Sequence, residues 1–511
     1  MVFYVLLMLS QYLFTAPGLG IILLNMRNKM IRKWLTIGII LLFVGTGIIP
    51  AIAQTTEKPQ STSRGNWLYV GGSGPGNYSK IQDAIDSAQQ GDTVFVYDDS
   101  SPYMEGLSIH KSIQLIGENK TTTIINSSKQ DTIWSFEYDN LLIQGFTLLN
   151  YCSFTEETYG VSVDFAENFT LTDTIISGCR WGVSLAYCHN CSITNNEIRE
   201  GGTGIDLYHV DTSTLTGNQL IDNGYGIELN NARTNTISNN AFTNNGMYLV
   251  DYAYPNSVVG NTINGKALLY LENESDITID NESAGQIILV GCKRITMQNL
   301  NLSHATVGVE LINTDNCLLT NTILRFNVIG VMFLESCNKN TISYNYIDFN
   351  SYGIAAEPYF SFTLNKIIGN SIRSNLGDGL DLSGMLNIVR YNIIENNSQG
   401  IIIQGGIFNI VSKNVIANNT KFGLFIAYSA VNLINSNNIV KNRINAAFFS
   451  MVGTVFFQNY WKPNLGLRPK FIPGIQFGIF GTYEMIVPII FPWLKVDWFA
   501  ARLPHNIPEE R

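Results

Sequence analysis

Charge is scarce in these 511 residues. Only 14% are Asp, Glu, Lys or Arg, against 45% hydrophobic, a balance that excludes a disordered chain and suits a large core. Basic residues are outnumbered 31 to 40, the net charge is −9, and no basic stripe occurs anywhere; nucleic acid is therefore excluded as a partner. The three- to four-residue apolar rhythm of helices is missing from most of the chain. In "GIDLYHV" Ile205 and Leu207 share one face while Asp206 and Tyr208 take the other, the alternation of a short strand. The seven cysteines (152, 179, 188, 191, 292, 317 and 337) are odd in number for a fully disulfide-bonded chain, although a 188–191 or 179–188 bridge would fit the spacing.

What the chain has instead is a repeat. "WGVSLAYCHNCSITNNEIREGG", "TGIDLYHVDTSTLTGNQLIDNG" and "YGIELNNARTNTISNNAFTNNG" follow one another, with glycines at Gly160, Gly182, Gly204 and Gly226 in steps of twenty-two residues. The phrase blurs through 247–307 and resumes at Gly308, Gly330, Gly353, Gly379, Gly400 and Gly423. A fixed period in the twenties marks a solenoid. Two or three short strands per repeat, separated by Gly and Asn turns, predict the coils of a single-stranded, right-handed parallel β-helix. Coils stacked at about 4.8 Å, roughly fifteen of them, give a rod on the order of 70 Å long.

The asparagines fall into columns. Asn196, Asn218 and Asn240 share one repeat position, with Asn261, Asn321, Asn345, Asn370, Asn392 and Asn414 close to it; Asn223, Asn245, Asn397, Asn419 and Asn442 form a second. Asparagine tolerates the left-handed backbone of a tight corner, and stacked amides can donate to the coil above and accept from the one below. Both columns therefore read as structural.

Both ends of such a rod need covers, because unpaired strand edges aggregate. "YSKIQDAIDSAQQGD" predicts a capping helix with a Ser79/Gln82 capping box and a stop at Gly91, after which "TVFVY" begins the first strand. At the other end, 460–511 abandons the period and predicts an irregular C-terminal cap; its apolar run 471–494 is long enough for a membrane span but is interrupted by Pro473, Glu484, Pro488 and Pro492. Ahead of the rod, "MRNKMIRKW", "LTIGIILLFVGTGII" and "AIAQ" predict an export signal cleaved after Ala53. Losing its four cations (Arg27, Lys29, Arg32, Lys33) takes the net charge from −9 to −13. The apolar run before that signal fits a start at Met26 or Met30, with a membrane-anchored hairpin as the other reading. The expected division is 1–53 leader, 54–65 linker, 66–106 cap and first strand, 107–459 parallel β-helix and 460–511 terminal cap. Ten N-x-[ST] sequons, from Asn77 to Asn418, are compatible with a glycosylated exterior.

"GNYSKIQDAIDSAQQGDTVFV", "SIHKSIQLIGEN", the recurring "T-I-S-N-N" and the closing "NYW" with Asp497-Trp498 resemble the NosD-like right-handed β-helix proteins of the pectin-lyase-like superfamily, over roughly 65–460. That group implies an exported or cell-surface repeat protein of archaeal type associated with carbohydrates, and its copper-binding label implies an accessory role in maturing a copper enzyme. It does not imply an activity.

Chemistry is expected where acids recur on one outward column. Asp206 and Glu228 hold the same position on adjacent coils, a spacing that suits a pair of glycosidase carboxylates as well as a merely solvated face. With His209 they are the candidate catalytic residues; Tyr208, Tyr187, Asp211, His189 and Arg233 are the candidate substrate contacts, and Trp181, Tyr225, Tyr248, Tyr252 and Tyr254 add aromatic rings on neighbouring coils. Asp378 and Asp381 in "LGDGLDL" make a smaller acidic patch. Paired aspartates with a downstream His and a basic triplet, as in polygalacturonases, are not evident, which weakens the hydrolase reading. Cys188, Cys191, Cys179 and His189 could be argued as a Cu(I) site, but neither Cu nor Ca²⁺ has a specific motif, and no cofactor is expected. The readings are a monomeric, non-catalytic exported β-helix binding a glycan or a cell-envelope component; a polysaccharide lyase or glycoside hydrolase; and a copper-maturation accessory. Membrane association is possible through the N-terminal segment.

Overall fold

The computed structural model describes residues 65–511, except 129, 151–157, 282, 358–361, 463–469, 483–484, 498–499, 502 and 508–511. The leader, most of the linker and Cys152 lie outside these residues. The chain coils into a parallel β-solenoid of about 17 turns. One turn shows how. The long strand Thr203–Tyr208 is followed by a corner, then Thr214–Thr216, then Gln219–Ile221, before the next long strand Tyr225–Asn230 begins. Each strand pairs in parallel with its equivalent one coil on: Ile205 with Ile227, Leu207 with Leu229, Leu215 with Ile237, Leu220 with Phe242. The alternating apolar residues point inward and stack on their own kind, all at 0–1% exposure. Gly204, second in its strand, carries no side chain because one there would meet the Gly226 carbonyl oxygen at 2.6 Å and Leu220 at 2.8 Å.

The asparagine columns are hydrogen-bonded ladders inside the corners. Asn218 donates its backbone N–H (3.0 Å) and its Nδ2 (2.9 Å) to Asn240 Oδ1, and Nδ2 also reaches back to the Ile193 carbonyl at 2.8 Å. Two details correct the sequence reading. The left-handed residue is not the ladder asparagine but its predecessor, as in Asn195, Gly217 and Asn239. Asn321 is such a predecessor, and Thr322 takes the ladder position beneath Asn345. A third ladder, unpredicted, runs Asn340, Asn365, Asn387, Asn409, Asn432.

The blurred stretch is a break in the stack. After Thr262–Ile263 the chain turns sharply, Lys266–Glu272 runs back antiparallel to it, and Ala284–Val290 then pairs in parallel with that strand to begin a second stack. The first stack's long-strand sheet stops at Met247–Val250. No strand among the described residues covers that edge. Side chains do: Gly246 N–H donates to Thr306 Oγ1 (2.8 Å), Met247 N–H to Gln286 Oε1 (3.0 Å) and Leu249 N–H to Glu310 Oε1 (3.0 Å). These side chains stand on the outer face of the second stack's first strands, so Ala284–Val290 and Val307–Ile312 are buried on both faces.

At the front, a strand at Trp67–Val70 precedes the helix and pairs with Thr93–Val96, one coil earlier than expected. The helix spans Ile81–Ser87. The Ser79/Gln82 capping box does not form; Glu105 accepts from the N–H groups of Ile81 (2.9 Å) and Gln82 (3.1 Å), while Gln82 is engaged with Ser108. A carboxylate at a helix N-terminus satisfies two orphan donors and complements the dipole. At the back, the irregular cap and the membrane-helix alternative are both replaced by a hairpin of two long strands, Lys470–Thr482 and Met485–Asp497. No helix among the described residues is long and apolar enough to cross a membrane.

Candidate functional site

The in-register pairing that builds the core also decides which polar residues meet outside it. On the outer face of the first long-strand sheet, Ser162, Ser184, Asp206, Glu228 and Tyr248 form one column. Asp206 and Glu228 are thus direct neighbours, about 4.8 Å apart along the axis. Both are half-buried. Ser184 Oγ donates to Asp206 Oδ2 at 3.2 Å. Burial raises the Asp206 carboxyl above its ordinary value, opposed by that hydroxyl. Burial lifts Glu228 to about 7, helped by the charge of Asp206 and opposed by a hydrogen bond from Thr203. An acid poised there can exchange a proton near neutrality.

A column of rings, Tyr159, Trp181 and Tyr225, runs beside the acids, broken by Thr203. Tyr159 stacks on Trp181 at 4.9 Å, and Tyr225 lies 5.5 Å from Tyr248. At this point the second stack intrudes. Burial raises the Tyr225 phenol, with added pressure from Glu228 and from Tyr352 of the second stack; it raises Tyr248 likewise, with Glu310, Tyr225, Glu228 and Glu357 contributing. The outer faces of the two long-strand sheets meet in a corner at Tyr248, which packs against the apolar cluster that also holds Ile329, Met332 and Leu334 of the second stack; Glu228 and Asp206 continue the first wall in register. Glu310 lies where the sheet edge meets the second stack, accepting from Leu249 N–H. It is fully buried, its Oε2 has no hydrogen-bond partner, and burial holds its carboxyl well above the usual range.

The structure brings Asp206 and Glu228 together and gives His209 other company. The His209 ring stacks on Tyr187 at 4.8 Å, and its Nδ1 lies 2.9 Å from Asn231 Nδ2, in a corner stack that continues through Phe165 and Phe136. Tyr208 packs edge-on against Tyr187 and His209. His189, Asp211 and Arg233 do share a column, but at the next corner, where Arg233 N–H donates to Asp211 Oδ1 at 3.0 Å and its Nε to the Tyr252 carbonyl at 3.1 Å. Tyr254 is held by Glu335, its hydroxyl donating to Oε2 at 2.7 Å. In the smaller patch, burial raises Asp381 to about 7, and Asp378 accepts from Gln399 Nε2 at 2.9 Å.

The cysteine cluster does not fit a metal. Cys188 and Cys191 point into the core at 0% and 2% exposure while His189 faces solvent. Their thiols donate to the carbonyls of Val163 (3.3 Å) and His189 (3.4 Å). The six described cysteines are free thiols, and among the described residues no three His, Cys, Asp or Glu side chains are placed to share an ion.

Residues 85–278 match the family described as periplasmic copper-binding protein (NosD), and 285–439 and 356–461 match the right handed beta helix region. The chain is a right-handed β-helix repeat protein. Within this β-helix the two family matches divide at the break between the stacks. No curated protein matches the sequence. Among solved structures, the β-helix is similar to DFA-IIIase from Arthrobacter chlorophenolicus A6 in complex with GF2 (12% identity, 73% of this chain and 95% of that one, TM-score 0.30). It is also similar to the mannuronan C-5 epimerase AlgE4 A-module from Azotobacter vinelandii (14% identity, 74% and 92%, TM-score 0.27).

Glu310 is the site residue that sequence reading missed, although a signal existed. "GVEL" at 308–311 repeats "GIDL" at 204–207 and "GIEL" at 226–229, and "GLDL" at 379–382 is a fourth copy. The same strand position carries Asp206, Glu228, Glu310 and Asp381.

Proposed function

We propose that this β-helix is an exported, cell-surface protein that binds a carbohydrate in the corner between its two stacks. The observation that carries the reading is the Asp206–Glu228 pair flanked by Tyr225 and Tyr248. Sugar rings present hydroxyl donors to carboxylates and apolar faces to aromatic rings, and the pair and its two neighbouring tyrosines offer both. The family match to a periplasmic group supports export. A glycan array is the test: binding that Tyr225→Ala weakens supports the site, and an array without a hit sinks it.

A second reading is favoured by one feature. Glu228 is poised near neutrality beside a second carboxylate, the arrangement a glycan-cleaving enzyme would use, with Glu228 as acid and Asp206 as charged partner. A reducing-end or unsaturated-product assay on the glycans that bind decides between them: turnover abolished by Asp206→Asn establishes the enzyme, and binding without turnover establishes the module. The copper-accessory reading has no ligand set among the described residues.

A further inference from the structure

A cavity opens on the short strands of the second stack, outside the corner. Its volume is about 440 Å³, and none of the residues lining it is charged. Stacking in register explains where it lies. The outward column of the strands reads Ile323, Tyr346, Ser371, Ile393. At the turn beside it, the left-handed residues read Asn321, Tyr344, Gly369, Tyr391. One coil therefore carries two small residues, Gly369 and Ser371, between a coil with two tyrosines and a coil with Tyr391 and Ile393. Those flanking coils are about 9.6 Å apart, two strand spacings, and the small coil leaves room between them.

The rings around this room are set by their neighbours. Tyr344 leans over the small coil, since a Cβ at Gly369 would stand 2.5 Å from its Cε1 and 2.7 Å from its Cδ1. Tyr391 is held from the next coil by Lys413, whose Nζ sits 5.3 Å from the ring centroid and donates to the hydroxyl at 3.1 Å. Tyr346 is 50% exposed. At two other corners, exposed rings on adjacent coils cover each other, Phe165 on Tyr187 at 4.9 Å and Phe326 on Phe349 at 5.4 Å. The residue one coil on from Tyr346 is Ser371 instead, which offers a hydroxyl and no ring. The nearest charges, two positions along the same strands, are spoken for. Both carboxylate oxygens of Asp348 accept from Arg325 (2.8 and 2.7 Å), and Arg373 pairs with Glu395 (3.3 Å).

A neutral sugar ring matches this combination. Its C–H face is apolar and packs on the negative face of an aromatic ring, while its hydroxyls bond around the rim, here to Ser371 and the tyrosine hydroxyls. A purely apolar ligand would strand those hydroxyls once water is expelled. A charged sugar would find no free counter-charge in the lining. The volume lies in the range of small-molecule sites. We propose that this cavity is a second binding site, which takes a neutral hexose unit of a polysaccharide between Tyr346 and Tyr391 over Ser371. It does not depend on the acidic pair at the corner.

The test is calorimetric titration of the protein at physiological salt with cellotetraose, maltotetraose and mannotetraose, and with a galacturonic acid tetramer as the charged control. At least one neutral tetramer is expected to bind more tightly than the uronate, by about tenfold or more. Tyr346→Ala should weaken that binding about tenfold or more, and Ser371→Tyr, which fills the gap in the column without removing a ring, should abolish it. Both substitutions change outward-facing positions of strands whose central residue is the buried one, so the core is untouched. Tyr225→Ala, at the corner, should leave this binding unchanged. Failure of every neutral tetramer to bind, tighter binding of the uronate, binding that survives both substitutions, or binding lost in Tyr225→Ala overturns the proposal. Because Tyr225→Ala reports on the corner and Tyr346→Ala on this cavity, either site can fail while the other stands.

Discussion

Asp497 completes the ladder that Asn459 begins to leave open. Its Oδ2 accepts from the Asn459 backbone N–H (3.0 Å), from Asn459 Nδ2 (3.1 Å) and from Trp461 Nε1 (3.1 Å), the place the next coil's amide oxygen would take. The carboxylate thus terminates a column that runs from Asn345 through Asn370, Asn392, Asn414 and Asn437 to Asn459. A solenoid needs a special residue at its last coil, because the geometry that satisfies every interior amide leaves the final one unpaired.

Removing that acceptor should loosen the end of the rod. Asp497→Ala strands three buried donors, each costing about 1–3 kcal/mol when unsatisfied, so a loss on the order of 3 kcal/mol is expected in urea unfolding, with early protease cleavage near the terminal hairpin. Asp497→Asn retains an acceptor oxygen and should cost clearly less. Equal losses for the two variants would show that the carboxylate is not a ladder cap.

Two adjacent asparagines should respond oppositely. Asn240 donates twice to Asn261 Oδ1, once to the Leu215 carbonyl, and accepts from Asn218; Asn240→Ala should cost about 2–4 kcal/mol by orphaning buried amide groups on both sides. Asn239 is left-handed at φ 55, in a column where Gly217 and Gly260 occupy the neighbouring coils. Asn239→Gly should therefore stay within about 1 kcal/mol of the parent. Thermal unfolding of both variants checks the pair.

The repeat was readable because its causes are local. Gly204 and Gly226 are excluded from bearing side chains by the coil above, Ile205 and Leu207 face the core because strands alternate, and both constraints recur each turn. Register then followed, and with it the adjacency of Asp206 and Glu228. The corner was not readable. It depends on Met247–Val250 ending a sheet against Gln286, Thr306 and Glu310, contacts across 39 to 61 residues that no periodicity encodes. His209 shows the same limit on a smaller scale: it follows Asp206 by three positions, yet the corner between them turns its ring onto Tyr187. The Ser79/Gln82 spacing failed for a related reason, since Glu105 from a later coil reached the helix N-terminus first.

Glu310 should tolerate loss of its charge but not of its oxygen. Glu310→Gln keeps an acceptor for Leu249 N–H and removes a group that burial disfavours when ionised; stability at neutral pH should be unchanged or higher. Glu310→Ala should cost about 1–3 kcal/mol by exposing the edge of Met247–Val250, seen as faster hydrogen exchange at Leu249. A Gln variant as damaged as the Ala variant would mean that the ionised carboxylate is required.

Glu228 should write itself into the pH dependence of stability. Its carboxyl titrates near 7 in the folded chain and at about 4.3 when unfolded. Between those values the native state holds a proton that the unfolded state has released, so stability contributed by this group is full below about pH 4.3, falls as pH rises, and is lost above about 7. At about 1.4 kcal/mol per pH unit the difference is on the order of 4 kcal/mol. Glu228→Gln should flatten this slope and make the variant more stable than the parent above pH 7, measured by urea unfolding across the window. Asp381, raised to about 7 by burial as well, and Glu310, held well above the usual range by burial, add slopes of the same sign, so Glu228→Gln removes part of the fall and Glu228→Gln/Asp381→Asn a larger part. A single variant that retains the full slope would place the neutral-pH proton elsewhere and take away the basis for acid chemistry at the corner.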